Sequence, residues 1–289
     1  MPLVTMKKLL GSAEQEKYAV GGFNVSNMEM ILGAVRAAEE LSAPIILQIA
    51  EIRLPHSPLS VIGPAMVAAA RGAKVPVAVN LDHGRTIETV REALDLGFTS
   101  VMIDGSWKPM DENIQITNEV RKLAENYGAT VEAEIGAIHP GGAAVEYTDV
   151  GEAVRFYNAV GVDALAVAIG NAHGLYTGEP HLHFDILAAI HDRLPVPLVL
   201  HGGTGIGEAD IHRCIRNGIR KVNVATATFQ SVEQHVRRLY AKGAPDSYFT
   251  LQDTEIEGAY ENVKNHILMF ESTGKAAKNS SCPGSEAEA

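Results

Sequence analysis

The stretch VPVAVNLDHGRTIETVREALDLGFTSVMI, residues 75–103, decides the fold. It opens on VPVAVNL, a run of apolar and β-branched residues that reads as a strand covered on both faces. TIETVREALDLG follows, with Val90, Ala93 and Leu94 spaced for one helix face and Gly97 where a helix would stop. FTSVMI (98–103) is then a second apolar strand. A strand, a crossover helix and another strand within so short a length form the repeating unit of a parallel sheet.

The same alternation extends in both directions. Further candidate strands are YAVGGFN (18–24), PIILQI (44–49), ATVEAEI (129–135), ALAVAI (164–169), PLVLH (197–201) and RKVNVA (220–225). Between them lie stretches of helical spacing, among them one beginning at Met28 and PAMVAAARGA (64–73), and Gly128, Gly161 and Gly218 close three others. Eight strands, each followed by a helix, predict a (β/α)8 TIM barrel over residues 1–275 as a single domain. An open doubly wound sheet is the structural rival, but eight units close naturally and leave no second domain. Helical segments at 231–243 and 260–276 are extra to the barrel and are expected to pack outside it. The tail, 276–289, is small, polar and acidic and reads as disordered.

Composition sets the outer limits. The chain carries 24 Lys and Arg against 35 Asp and Glu, a formal charge of −11, with no cluster of cations. That argues against a nucleic-acid partner or an anionic membrane surface, both of which reward grouped positive charge. No apolar stretch is long enough to span a bilayer, and the first residues put charge where a leader would be apolar. With two cysteines, Cys214 and Cys282, a structural disulfide is not expected, and the cytoplasm is the expected compartment.

Active sites of barrels gather at the carboxyl ends of the strands. The polar residues predicted there are Asn24, a candidate substrate contact, Asp82, His83, Asp104, Glu134, His173 with Gly174, His201 through Thr204, and Asn223 through Thr226. Three of them, His83, His173 and His201, are imidazoles at strand ends. Three protein ligands with an open fourth position make a catalytic zinc site. Each segment alone has a plainer reading: LDHG as a turn capping the next helix, NAHG as an ordinary loop, HGGTGIG as a glycine-rich loop without a ligand. Together on one rim they point to a metal. Asp82, next to one proposed ligand, is placed to exchange a proton with substrate. HGGTG, between a strand and a helix, suits a phosphate through backbone amides and the Thr204 hydroxyl. Asp104 and Glu134 either orient the histidines or pair with a lysine or a helix cap. Glu132 alternates with Glu134, so both should face one side of the strand.

LDHG, VMIDGS, VEAEIG, AVAIGNAHGLY, LVLHGGTGI and KVNVAT, in this order, resemble the class II zinc-dependent ketose-bisphosphate aldolases, the tagatose- and fructose-bisphosphate branch above all, over roughly residues 3–275. The resemblance implies Zn2+ on His83, His173 and His201 and Asp82 as the acid/base at the C4 oxygen. It implies a dihydroxyacetone phosphate site at Gly174, Gly202, Gly203, Thr204, Asn223, Ala225 and Thr226. Asp104 and Glu134 fall where the family supports the metal or a second metal position. A phosphorylated ketose substrate, a monovalent cation as a further ligand, and a homodimer or homotetramer are also implied. Two readings stand beside aldol cleavage: a phosphosugar epimerase or isomerase, and a homologue that binds without catalysis. The first is motivated by a departure at 136–150, where the paired acids of the family's mobile loop are missing and His139 and Glu146 are the local substitutes; the second is disfavoured because Asp82 and all three histidines remain. After the second strand, AEIRLPHSP lacks the family's small residues, and Arg53 either binds a distal anion or is simply exposed.

Overall fold

The computed structural model describes residues 2–136, 147–176, 178–245 and 247–276. Eight parallel strands close in chain order, and the first pairs with the last. They are β1 (Val20–Asn24), β2 (Ile45–Ala50), β3 (Val77–Gly84), β4 (Ser100–Ile103), β5 (Thr130–Ile135), β6 (Ala164–Val167), β7 (Leu198–Leu200) and β8 (Ile219–Val224). Helices α2 (Met28–Glu40), α3 (Leu59–Gly72), α4 (Ile87–Asp95), α5 (Met110–Glu125), α6 (Val150–Val160), α7 (Phe184–His191) and α8 (Glu208–Arg216) are the crossovers, and α9 (Thr226–Ala241) and α10 (Tyr248–Met269) follow β8. This is the TIM barrel that the apolar runs predicted. Gly97, Gly128, Gly161 and Gly218 all adopt positive φ at the helix ends, as their positions implied.

Outward-facing residues of the strands and the inner faces of the helices make one continuous core. A second apolar cluster fills the amino-terminal end of the barrel: Val20, Ile46, Ala78, Ala164, Ala166 and Val199 meet Met6, Leu9, Leu10 and Ala13. Those last four belong to α1 (Met6–Glu16), a helix capped by the Thr5 hydroxyl and not anticipated from the sequence. Its apolar residues recur at helical spacing and plug the barrel floor. Buried Arg220 of β8 donates through Nε to Glu14 at 2.8 Å and ties that plug to the wall.

Two boundaries differ from expectation. α3 begins at Leu59, before Pro64, so the proline sits inside the helix and not at its start. The carbonyl of Ser60, which loses its amide partner to that proline, belongs to an exposed residue open to water. At the carboxyl end, Ala276 is buried and its amide donates to Ser42 at 2.9 Å. The remainder of the expected tail lies outside the described residues, as do His139 and Glu146. No described helix is long and apolar enough to cross a membrane.

Candidate active site

Successive residues of a strand face opposite ways, so Asp82 and His83 should not both point into the barrel. They do, because the pairing of β3 with β4 shifts register between Leu81 and Gly84 and His83 takes a left-handed φ of 46°. A bulge of this kind re-aims a side chain at the cost of local backbone strain. Gly84 is required next to it, since a Cβ there would lie 2.5 Å from the Met102 carbonyl oxygen.

His201 follows β7 directly, and His173 lies on the loop after β6. Gly202 holds the two loops together: a Cβ at that position would stand 2.0 Å from the Ala172 carbonyl oxygen, and its φ of 66° is left-handed. The ring centroids of His83 are then 4.5 Å from His201 and 4.8 Å from His173.

The hydrogen bonds fix which nitrogen of each ring is free. His83 Nδ1 lies 2.8 Å from Asp104 Oδ2, and His201 Nε2 lies 2.9 Å from Glu132 Oε1. A carboxylate only accepts, so both of those ring nitrogens carry hydrogen. The remaining nitrogens, His83 Nε2 and His201 Nδ1, face each other at 2.9 Å. His173 Nε2 is buried with no hydrogen-bond partner, and so is Glu134 Oε2, 3.3 Å from His201 Nδ1. Two lone pairs so close, with an orphaned imidazole nitrogen and an orphaned carboxylate oxygen nearby, require a positive charge between them. The donor set fits zinc: three neutral imidazoles, each able to offer one atom within 4.8 Å of the others. His83, Asp104 and Glu134 meet the same distance criterion as an alternative set.

Without a metal, a proton takes that place. Burial opposes charge on His83, but Asp82, the Asp104 hydrogen bond and Glu134 outweigh it and push the His83 pKa up to about 10. Burial and then the charge on His83 drive His173 down to about 3, and the same two causes lower His201. Burial and neighbouring Asp104 hold Glu134 well above the usual carboxylate range. Asp104 goes the other way: burial would raise it, but its bonds to His83 and Ser106 lower it.

Asp82 is 2% exposed and clamped on both oxygens. Asn24 Nδ2 donates to Oδ2 at 2.9 Å and Asn223 Nδ2 to Oδ1 at 3.0 Å. Burial alone would favour the neutral acid, yet His83, His201, Lys221 and the Asn24 amide keep its pKa below the ordinary aspartate value. Asn24 Oδ1 meanwhile accepts from the Ala50 amide, so its carboxamide, expected to touch substrate, is committed to Asp82 and β2.

Asn24, Asp82, His83, Asp104, Glu134 and His173 line a cavity of about 540 Å³ at the carboxyl end of the barrel, with His201 fully buried behind them. Gly174, Gly202, Thr204, Asn223, Ala225 and Thr226 form one part of its wall. Ala225 precedes α9 and brings no side-chain acceptor of its own; the Thr204 hydroxyl accepts from the Ala227 amide at 3.1 Å, and the positive end of this 16-residue helix lies at the wall. Gly203 is not part of the wall in the same sense: its amide donates to the Asn223 carbonyl at 3.0 Å. The segments after β2, β3 and β4 supply the rest of the wall, where Arg53, Arg85, Ser106 and Trp107 stand. Arg53 lies over the Phe229 ring, 5.4 Å from its centroid.

Sequence reasoning passed over Lys221. It is fully buried, and its Nζ donates to Glu132 Oε2 at 2.7 Å inside the barrel. The signal was its spacing of two from Asn223, which puts both on one face of β8.

The fold and this constellation are those of a (β/α)8 barrel with a candidate metal centre at the carboxyl ends of its strands. A family model described as class-II fructose-bisphosphate aldolase matches residues 4–275, and the chain belongs to that family. A 6-phospho-5-dehydro-2-deoxy-D-gluconate aldolase of Bacillus velezensis is 38% identical over 96% of this chain and 99% of its own. A fructose-bisphosphate aldolase of Geobacillus stearothermophilus is 41% identical over 96% of this chain and 100% of its own. Among solved structures, the YdjI aldolase of Escherichia coli K12 superposes with a TM-score of 0.87 at 36% identity, covering 95% of this chain and 99% of that one.

Proposed function

We propose that the chain cleaves and forms the C3–C4 bond of a phosphorylated ketose, with dihydroxyacetone phosphate and an aldehyde as the products of cleavage. The observation that carries this is the ionised Asp82 carboxylate held between two asparagine amides, beside a three-imidazole pocket whose free nitrogens demand a cation. Zinc bound there supplies Lewis acidity that draws electron density from the ketose carbonyl. His83, His173 and His201 would hold it, each kept neutral by the loss of the proton that the metal replaces.

The chain's own groups do the rest. In cleavage Asp82 accepts the proton of the C4 hydroxyl as the C3–C4 bond breaks and its electron pair passes into an enediolate. The enediolate takes a proton at C3 from water or from the 136–150 segment and leaves as dihydroxyacetone phosphate. In condensation Asp82 returns its proton to the aldehyde oxygen. Asn24 and Asn223 keep its oxygens oriented and charged between turnovers. The phosphate sits on the wall of Gly174, Gly202 and Thr204, against the positive end of α9. On the loops after β2 and β3, Arg53 and Arg85 support an acidic group on the aldehyde half. The names of the two aldolase relatives, a bisphosphate and a phosphogluconate, both describe substrates with a second acidic group.

The half-reaction can be tested without knowing the aldehyde. Dihydroxyacetone phosphate incubated in heavy water with the zinc-loaded protein is expected to exchange one hydrogen of its hydroxymethyl carbon for deuterium, and a chelator should stop the exchange. No exchange by folded, zinc-loaded protein would overturn the reading.

A further inference from the structure

Below the three histidines the barrel interior holds an ion pair with no contact to the cavity. Glu132 and Lys221 are both 0% exposed, with Lys221 Nζ 2.7 Å from Glu132 Oε2. Their neighbours on the adjoining strands are apolar: Val20 and Val199 pair with Lys221, and Ala164 with Glu132. Desolvating two ions costs several kcal/mol, which their mutual attraction repays only in part, so stability alone is a weak account of the pair. A role beyond stability is needed to account for the pair.

The second oxygen of Glu132 supplies it. Oε1 stands 2.9 Å from His201 Nε2, in a region without solvent access. Lys221 Nζ donates to the other oxygen, Oε2, at 2.7 Å, and the carboxylate of such a pair only accepts, so Nε2 is the donor to Oε1. The proton of the neutral ring is thereby confined to Nε2. Nδ1 is left as the lone pair, and Nδ1 is the atom that faces His83 Nε2.

We propose that Lys221 and Glu132 act as a relay of fixed charge that locks His201 in the tautomer able to bind metal, with both as positioning residues and neither touching substrate. The proposal rests on the zinc reading above. It makes a particular demand on Glu132→Gln. Beside the Lys221 ammonium, the introduced carboxamide turns its oxygen toward the lysine and its NH2 toward His201. Nε2 then accepts, the ring proton moves to Nδ1, and the metal loses a ligand. Removing the ammonium as well frees the carboxamide to turn back and accept from Nε2–H.

Zinc affinity measured by competition with a chromophoric chelator should therefore fall about 10–100-fold in E132Q, the range for loss of a group orienting a metal-bound histidine. The double variant E132Q/K221M should recover most of that loss. A simple packing defect predicts the reverse, since the second substitution would add damage. In 15N-histidine-labelled wild-type protein, NMR should find the His201 proton on Nε2 with and without zinc. E132Q binding zinc within threefold of wild type, a double variant no better than the single one, or a proton on Nδ1 in the metal-free wild type would each overturn the proposal. A wild type that binds no zinc would instead contradict the metal reading, and the tautomer measurement would still decide this one.

Discussion

Asp82→Asn is expected to fold and to bind one zinc ion per chain while losing about 10²–10⁴-fold in kcat, the usual worth of a positioned acid/base. The substitution is well placed to separate chemistry from structure. Asp82 accepts from two amides, and an asparagine can accept from only one of them. Asn24 cannot turn over to compensate, because its Oδ1 already holds the Ala50 amide at 2.9 Å. Asn223 can, because its Oδ1 is buried and without a partner. After that flip, the new carboxamide donates to Asn223 and accepts from Asn24, so both contacts to residue 82 survive and the Asn223 NH2 takes the place its oxygen held. The stability cost should be about 1 kcal/mol, the net value of one rearranged hydrogen bond. What the variant cannot do is take a proton. Steady-state kinetics with zinc content measured on the same sample checks it: kcat within tenfold of wild type would remove Asp82 from the proton transfer.

His173→Ala should abolish zinc binding and turnover together while leaving the metal-free fold intact. His173 Nε2 is buried without a partner, which costs the metal-free protein about 1–3 kcal/mol. Deleting the ring relieves that cost and opens a space beside the cavity, so the two effects offset. The zinc-dependent part of stability disappears instead. A ligand at about a thousand times its dissociation constant adds about 4 kcal/mol. For a chain of this length that amounts to roughly 10 °C in Tm. Thermal unfolding with and without zinc should show the upshift in wild type and none in the variant. An upshift of equal size in both would remove His173 from the ligand set.

The barrel was legible because its strands are covered on both faces and its helices end on glycines, so VPVAVNL and FTSVMI declare themselves without tertiary information. His83, His173 and His201 were legible for a related reason: a polar residue that ends an apolar strand has few structural uses. Local geometry was not. Nothing in LDHG announces the bulge and left-handed φ that turn His83 inward beside Asp82. Asn24 and Asn223 stood out as polar strand ends, but only the closed barrel shows that their amides clamp Asp82 across β1, β3 and β8. Lys221 looks like an ordinary strand lysine until the sheet closes and sets it against Glu132, two residues before Glu134 on β5. The α1 plug carried its signal openly in Met6, Leu9, Leu10 and Ala13, but the charged run between them argued only against a leader segment. Cross-barrel contacts of this kind depend on shear and register, which no local pattern encodes.

The central claim is metal-dependent carbon–carbon cleavage of a ketose phosphate, and the direct test is release of dihydroxyacetone phosphate from a panel of ketose mono- and bisphosphates and acidic ketose phosphates, with and without a chelator. Chelator-sensitive release is predicted, fastest from substrates with an acidic group on the aldehyde half facing Arg53 and Arg85. Isomerised substrate with no release of dihydroxyacetone phosphate, or release that a chelator leaves unchanged, would contradict it.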